Sequence, residues 1–211
     1  MYLFSRQARL APGRTTEAMS WALTVTEKVN QISEVPVTLW STVFSPGVGT
    51  LAWSAIVEDL SVLEATDAKL MADSSYLGLL DQGAAFNSGA PVDDTIVNLV
   101  VADIGEEGPP AYGSIVQTVL AGGAMAKGIE LGAQIAQQVK SVTGCRCSFG
   151  VAGTGQFGAV GWITGYESIE QLEQAQQALQ ADADFGTLLD ERASQVYLRG
   201  TTTQTIYRRL V

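Results

Sequence analysis

The sequence contains no histidine among its 211 residues. Without an imidazole there is no Ser-His-Asp or Cys-His nucleophile, no histidine general base and no His-ligated zinc, haem or non-haem iron. Cysteine is scarce as well, because Cys145 and Cys147 are too few and too close together to form a disulfide framework. A metal site would need two further ligands. We therefore expect buried or half-buried strand thiols there, with no metal and no cofactor.

Basic residues are the next shortage. The chain has 12 Lys plus Arg against 22 Asp plus Glu, a formal net charge of −10. Carboxylates oppose the counterion release that drives binding to phosphate backbones, so nucleic acid and anionic membranes are excluded as expected partners. The longest apolar stretches, such as residues 96–102, are far shorter than the roughly 18–20 residues of a membrane-spanning helix. With no secretory signal visible, a cytoplasmic location is the prediction.

The chain is an internal duplication. A shift of 109 residues aligns residues 51–82 with residues 160–191, and ten of those 32 positions are identical. A shift of 110 aligns the start of the chain with its second half, pairing Tyr2 with Tyr112 and Gln7 with Gln117. Self-similarity at a fixed period indicates a repeated structural unit.

Each copy predicts the same order of elements. A strand and a glycine-containing turn lead into an amphipathic helix, then come a two-stranded hairpin, a second helix capped by Asp59 or Ser168, a short further turn and a closing strand. This βαββαβ order is the ferredoxin-like split unit. We expect an α+β fold with ferredoxin-like repeats at residues 1–102 and 111–211, joined by a Gly, Pro and acid-rich linker at residues 103–110.

Three local features accompany that order: Pro12-Gly13-Arg14 before the first helix, Glu17 inside it, and Glu58 or Glu167 before the second helix. Together they resemble the dimeric α+β barrel superfamily, which includes antibiotic-biosynthesis-type monooxygenases and NIPSNAP-like proteins. The resemblance implies a single-chain fusion of two protomers, packed sheet to sheet as an intrachain pseudo-dimeric barrel. It also implies a small hydrophobic or aromatic ligand in the barrel interior. The haem-degrading branch is disfavoured, since its axial histidine does not exist here.

Several side chains are candidates for binding that ligand. Trp53 and Trp162 hold equivalent places in the third strand of each copy and face either the helices, as core, or a ligand cavity. A strand amide such as Gln7 or Gln117 must find partners or lose roughly 1–3 kcal/mol. The full set of candidates is Gln7, Gln117, Trp53, Trp162, Tyr166 and Asn98. For each, structural contact with the rest of the protein is the alternative.

Residues 153–158, Gly-Thr-Gly-Gln-Phe-Gly, match the dinucleotide-binding pattern GxGxxG. That pattern requires a helix directly afterwards, whose N-terminus receives the pyrophosphate. The residues that follow have no helical stripe, and the duplication aligns the segment with the hairpin turn at residues 45–49 of the first copy. The prediction is a hairpin tip and not a nucleotide site.

Two functions of different classes remain open. The first is a small-molecule barrel protein, with cofactor-independent monooxygenase-type chemistry that uses carboxylates, tyrosine or amides in place of histidine. The second is a non-catalytic structural or assembly subunit, whose acidic surface and exposed sheet edges mediate a homo-oligomer. A ligand cavity would favour the first, and concentration-dependent assembly would favour the second.

Overall fold

The computed structural model describes residues 1–105 and 107–211. The chain divides into two compact units, residues 1–96 with 209–211 and residues 97–208. The predicted linker at residues 103–110 includes Glu106, which lies outside the described residues. We propose that residues 1–102 and 111–211 are the two repeats, and we describe the compact units one at a time.

The first unit has the βαββα core of a ferredoxin-like repeat. Its elements are β1 (Tyr2–Arg9), α1 (Thr15–Ile32), β2 (Thr38–Val43), β3 (Thr50–Val57), α2 (Leu60–Met71) and α3 (Ser74–Gly83), followed by a 3-10 turn and the first residues of β4 (Asp93–Val101). Strand β3 lies between β1 and β2 and pairs antiparallel with both. At the far edge, Leu210 donates a 2.8 Å hydrogen bond to the Leu39 carbonyl.

The second unit repeats this order. After the last residues of β4 come β5 (Tyr112–Val119), α4 (Met125–Thr143), β6 (Cys147–Ala152), β7 (Ala159–Tyr166), α5 (Ile169–Ala181), α6 (Ala183–Thr187), a π-type turn, α7 (Ser194–Val196) and β8 (Thr203–Arg209). Here the antiparallel strands lie in the order β8-β5-β7-β6-β4. The predicted fold class, α+β with two ferredoxin-like βαββαβ repeats, is confirmed.

Register places one face of each sheet against its helices. In the first unit Trp53 lies directly opposite both Arg6 and Leu39, and residues opposite one another share a face. Leu39 and Trp53 form a buried cluster with Ala22 of α1 and with Leu51. We call this side of the sheet the helix-covered face.

Helix caps explain where the shorter helices begin. Asp59 accepts hydrogen bonds from the backbone at the start of α2, and Ser168 caps α5 through the Gln171 N–H, both as predicted. The short turn predicted after the second helix was wrong in both units, because residues 183–196 of the second unit are helical throughout and, in the first unit, Ser74–Gly83 is a ten-residue helix. Asp73 caps it by accepting the Tyr76 N–H, a signal that the sequence carries at both Asp73 and Asp182.

Residues 153–158 form the tip between β6 and β7, which confirms the hairpin prediction. Gly155 and Gly158 both have positive φ values, a conformation that glycine adopts without steric cost. Among the helices of residues 1–105 and 107–211, none has the length and apolar character to span a membrane.

Candidate functional site

The two tryptophans that the duplication makes equivalent, Trp53 and Trp162, lie on the helix-covered faces. The Trp53 indole N–H donates to Thr26 Oγ1 of α1 at 2.8 Å, and the Trp162 indole N–H donates to the Gly132 carbonyl of α4 at 2.8 Å. Each side chain is 7% exposed. Of the two alternatives that the sequence left open, this is the packing of core residues beneath helices.

The other predicted ligand-binding residues are scattered. Tyr166 is buried against Leu172 and Ala175 of α5, and burial raises the pKa of its hydroxyl to about 12. Gln7 is half-buried on the opposite face of its sheet from Arg6. Gln117 and Asn98 are exposed, so the cost of a buried unpaired amide does not arise for them. The structure does not gather these residues into one site within either unit.

The two cysteines are free and buried. Thr164 Oγ1 lies 3.4 Å from Cys147 Sγ, and burial raises the pKa of that thiol to about 11. A thiol held protonated is a poor nucleophile and a poor metal ligand. Within residues 1–105 and 107–211, no group of three or more Cys, Asp or Glu side chains is placed to hold a metal ion.

The polar group that stands out is Arg6, on the helix-covered face of the first unit. Its guanidinium makes a two-bond contact with Asp94, Nε to Oδ1 at 2.8 Å and Nη2 to Oδ2 at 2.7 Å. The hydrogen bond to Asp94 raises the pKa of Arg6, and the nearby charge of Asp67 adds to that effect. The Arg6 side chain is 37% exposed, so one side of the ion pair is accessible from solvent.

Tyr76 completes the group. Its side chain is 4% exposed, and α3 holds it in place because its backbone N–H is bound by the Asp73 cap at 2.8 Å. Burial raises the pKa of the Tyr76 hydroxyl, while the adjacent Arg6 guanidinium acts in the opposite direction. The net rise keeps this hydroxyl protonated at neutral pH, so it can donate a hydrogen bond. We call Arg6, Tyr76, Asp94 and Asp67 the Arg6 cluster.

The second repeat lacks every member of the Arg6 cluster. At the positions equivalent to Arg6, Asp94, Tyr76 and Asp67 it has Val116, Gln204, Phe185 and Gln176. The backbone arrangement is nevertheless kept, since Val116 lies opposite Trp162, as Arg6 lies opposite Trp53, and Asp182 caps the Phe185 N–H. The difference between the repeats is therefore one of side-chain chemistry.

Aromatic side chains surround the equivalent tryptophan, Trp162, in the second unit. Phe149 is fully buried with its ring centre 5.3 Å from that of Trp162, and Tyr197 packs edge-on against the same indole at 5.5 Å. The Tyr197 hydroxyl donates to the Gly128 carbonyl at 2.7 Å. The first unit also has aromatic packing at this place, with Trp21 edge-on against Trp53 at 6.0 Å, so the repeats differ at the Arg6-cluster positions and not in having an aromatic core.

A separate cleft of about 470 Å³ lies in the second unit, and it exceeds the roughly 300 Å³ at which ligand pockets begin. Its lining comprises Gly105, Glu107, Gly144, Cys145, Arg146, Gly165, Glu167 and Gln171. Arg146 Nη2 lies 3.5 Å from Glu167 Oε1, and Gln171 accepts the Glu167 N–H at 2.7 Å. None of the described lining residues belongs to the predicted ligand-binding set.

Sequence reasoning missed the Arg6 cluster, although the duplication contained the signal. The members come from β1, α2, α3 and β4, and Arg6 and Asp94 are far apart along the chain. Comparing the copies for differences, instead of identities, would have shown Arg, Tyr and two Asp in one copy against Val, Phe and two Gln in the other.

No protein-family model and no curated protein matches the sequence. Solved structures do match the fold. A presumed monooxygenase from Fusobacterium nucleatum superimposes with a TM-score of 0.73 at 8% identity, covering 100% of this chain and 92% of that one. An anthrone oxidase-like protein gives a TM-score of 0.69 at 13% identity, covering 100% and 91%.

A presumed monooxygenase from Lactobacillus acidophilus gives a TM-score of 0.66 at 9% identity, covering 99% of this chain and 93% of that one. Identities this low establish a common fold and nothing finer. The coverage nevertheless includes both repeats, so the match extends beyond a single ferredoxin-like unit. The chain therefore has the fold of the dimeric α+β barrel superfamily, as its duplication and element order predicted.

Proposed function

We propose that the protein binds a small aromatic molecule on the helix-covered face of its first repeat, against the Arg6 cluster, and supports cofactor-independent monooxygenase-type chemistry there. The observation that carries this proposal is the asymmetry of the duplication. One copy keeps an arginine, a tyrosine and two carboxylates where its twin has a valine, a phenylalanine and two glutamines. Arg6 is the half-buried charge of this group, and the Asp94 and Asp67 carboxylates lie exposed beside it.

The chemistry of the cluster fits an aromatic ligand with an oxygen substituent. The protonated Tyr76 hydroxyl can donate a hydrogen bond, and the exposed Asp67 carboxylate beside it can accept a proton. When one O2 converts an activated CH2 group to C=O, the second oxygen atom leaves as water. No external reductant or cofactor is then needed, so positioning and proton transfer are the protein's contribution.

The fold neighbours support the same class of activity. Two of them are described as presumed monooxygenases and one as anthrone oxidase-like. The sequence predicted a ligand in the barrel interior, with Gln7, Gln117, Trp53, Trp162, Tyr166 and Asn98 as candidate binding residues, and Gln7 lies on the face of the first sheet opposite Arg6. The proposed site uses the other face of the first sheet, because Arg6 and Tyr76 lie there.

Anthrone is the probe of choice, since its CH2 group can become a carbonyl. We expect it to quench tryptophan fluorescence and to be consumed with one O2 per molecule. The Tyr76→Phe variant should bind anthrone more weakly or lower its turnover by about tenfold, which is the size of a lost hydrogen bond. Phe185→Tyr is the matched control, because it adds a hydroxyl at the equivalent place in the second repeat.

The readouts separate binding from catalysis. Quenching without O2 uptake means that the protein is a binding protein and not an oxygenase. The absence of both, in folded protein, contradicts the proposal. Equal effects of Tyr76→Phe and Phe185→Tyr would mean that the first repeat has no special role.

One observation favours the second candidate function, a structural or assembly subunit. The hairpin tips expose apolar side chains: Phe44 is 79% exposed, Val48 is 68% exposed and Phe157 is 89% exposed. Val48 and Phe157 are equivalent positions in the duplication. An exposed apolar patch is typical of a surface that contacts another protein molecule.

Sedimentation velocity over a hundredfold range of protein concentration tests assembly. Association that is lost in Phe157→Ser, with thermal stability unchanged, supports this second function. A monomer at every concentration rules it out.

A further inference from the structure

The charge balance of the Arg6 cluster limits what it can bind. Arg6 carries one positive charge, and both oxygens of Asp94 are bonded to it at 2.7–2.8 Å. Asp67, on α2, adds a second negative charge close enough to act on both Arg6 and Tyr76. With Tyr76 neutral, the four groups sum to one negative charge, so an incoming anion meets no free positive charge.

The duplication indicates that Arg6 and Asp94 belong together. Their equivalents, Val116 and Gln204, lie directly opposite one another on neighbouring strands and are both uncharged. The first repeat therefore has both charges, and the second repeat has neither. An unpaired arginine at this half-buried position would instead provide a ready partner for a carboxylate.

The polar group that is not part of the ion pair, the Tyr76 hydroxyl, suits an uncharged ligand. The Tyr76 hydroxyl, which lies close to Arg6, can donate to a carbonyl or hydroxyl oxygen. Arg6 also lies over the ring of Phe4, with its central carbon 5.8 Å from the ring centre, an arrangement that a cation makes with an aromatic face. A planar aromatic molecule can occupy such surroundings without bringing a charge of its own.

We propose that Asp94 is a specificity-determining residue, which neutralises Arg6 and thereby restricts the site to uncharged aromatic ligands while rejecting their carboxylates. This inference rests on the proposed function, because it concerns the ligand of the same site. It goes further by assigning the charge of that ligand and the residue that selects it.

The test compares naphthalene-2-carboxamide with naphthalene-2-carboxylate, two probes of nearly the same shape that differ in charge. Their affinities are measured by isothermal titration and tryptophan quenching at pH 7.5. The wild-type protein should bind the carboxamide at least tenfold more tightly, which corresponds to about 1.4 kcal/mol. Asp94→Asn releases the Arg6 charge, so it should reverse the preference and bind the carboxylate at least tenfold more tightly than the wild type does.

Two variants control for other effects of the substitution. Asp93→Asn removes the same net charge from the neighbouring residue of β4 and should leave the preference unchanged. The double variant Arg6→Gln with Asp94→Asn removes both partners and keeps the net charge of the wild type. It should bind the carboxylate no better than the wild type does. It also tests the role of the ion pair if Asp94→Asn alone folds poorly.

The outcomes separate this inference from the function on which it rests. Wild-type protein that binds the carboxylate as tightly as the carboxamide overturns the role of Asp94 and leaves the binding function standing. Equal shifts in Asp93→Asn and Asp94→Asn also overturn it, because the effect would then come from net charge. Folded wild-type protein that binds neither probe counts against the binding function itself.

Discussion

Replacing Gly132 by alanine tests how tightly α4 packs on its sheet. A Cβ at this position would overlap three ring carbons of Phe149. The ring cannot easily move away, because Phe149 is fully buried and packs against Trp162. The Gly132 backbone is fixed as well, since its carbonyl accepts the Trp162 indole N–H at 2.8 Å.

Two opposing terms set the size of the effect. Alanine favours the helix over glycine by about 1 kcal/mol, whereas forcing extra volume into a packed core costs about 1–3 kcal/mol. Since the overlap involves a ring fixed on several sides, we expect an overpacking cost at the upper end of that range, about 2–3 kcal/mol. The expected result is a net loss of about 1–2 kcal/mol in the free energy of unfolding, measured by urea denaturation followed by circular dichroism.

The chain supplies its own controls. Gly78 lies inside α3, and a methyl group added there would have no neighbouring atom within 4 Å, so Gly78→Ala should stabilise the protein by about 0.5–1 kcal/mol. The first repeat has Ala22 and Leu39 where the second has Gly132 and Phe149. Gly132→Ala combined with Phe149→Leu should therefore be more stable than Gly132→Ala alone, with a coupling of about 0.5–3 kcal/mol. A Gly132→Ala protein as stable as the wild type, or additive double-variant energies, would refute this view of the packing.

Two further predictions concern buried polar groups. Cys147 and Tyr166 have pKa values raised by burial, to about 11 and about 12, so the stability that their neutral forms provide is complete below the unfolded pKa values of 9.0 and 10.0. This stability is lost as pH rises through the folded pKa values, at about 2–3 kcal/mol per group. Urea denaturation at pH 8 to 11 should show the free energy of unfolding falling with pH, and Cys147→Ala should make that fall smaller. Thr26→Val removes the acceptor of the buried Trp53 indole N–H and should cost about 1–3 kcal/mol in urea denaturation, whereas a cost below about 0.5 kcal/mol would mean that water replaces the hydroxyl.

Local signals predicted the elements well because they act over a few residues. The helix stripes, the caps Asp59 and Ser168, and the hairpin tip at residues 153–158 each depend on neighbours in sequence. The duplication strengthened these predictions, because every element had to fit two different stretches of chain. The helix α3 was not predicted, because its N-cap, Asp73, comes directly after the C-cap of α2.

The covered face of each sheet and the meeting of distant residues depend on tertiary contacts, which residue spacing in a single sequence does not reveal. Alternation along β3 places Trp53 with Ala55 and Val57 on one face, but it does not say which face the helices cover. Arg6 and Asp94 meet because two strands distant in sequence lie side by side. A difference between the two copies is the sequence signal that points to such a pair.

The hydrogen bond between Leu210 and Leu39 joins the C-terminal residues to β2, far earlier in the sequence, within the first unit. During synthesis the ribosome releases residues 209–211 after the whole of the second unit. The first unit therefore gains its last edge hydrogen bonds only at the end of synthesis. Long-range pairing of this kind slows folding, so the N-terminal unit is completed only when the last residues of the chain have been made, although most of that unit is synthesised first.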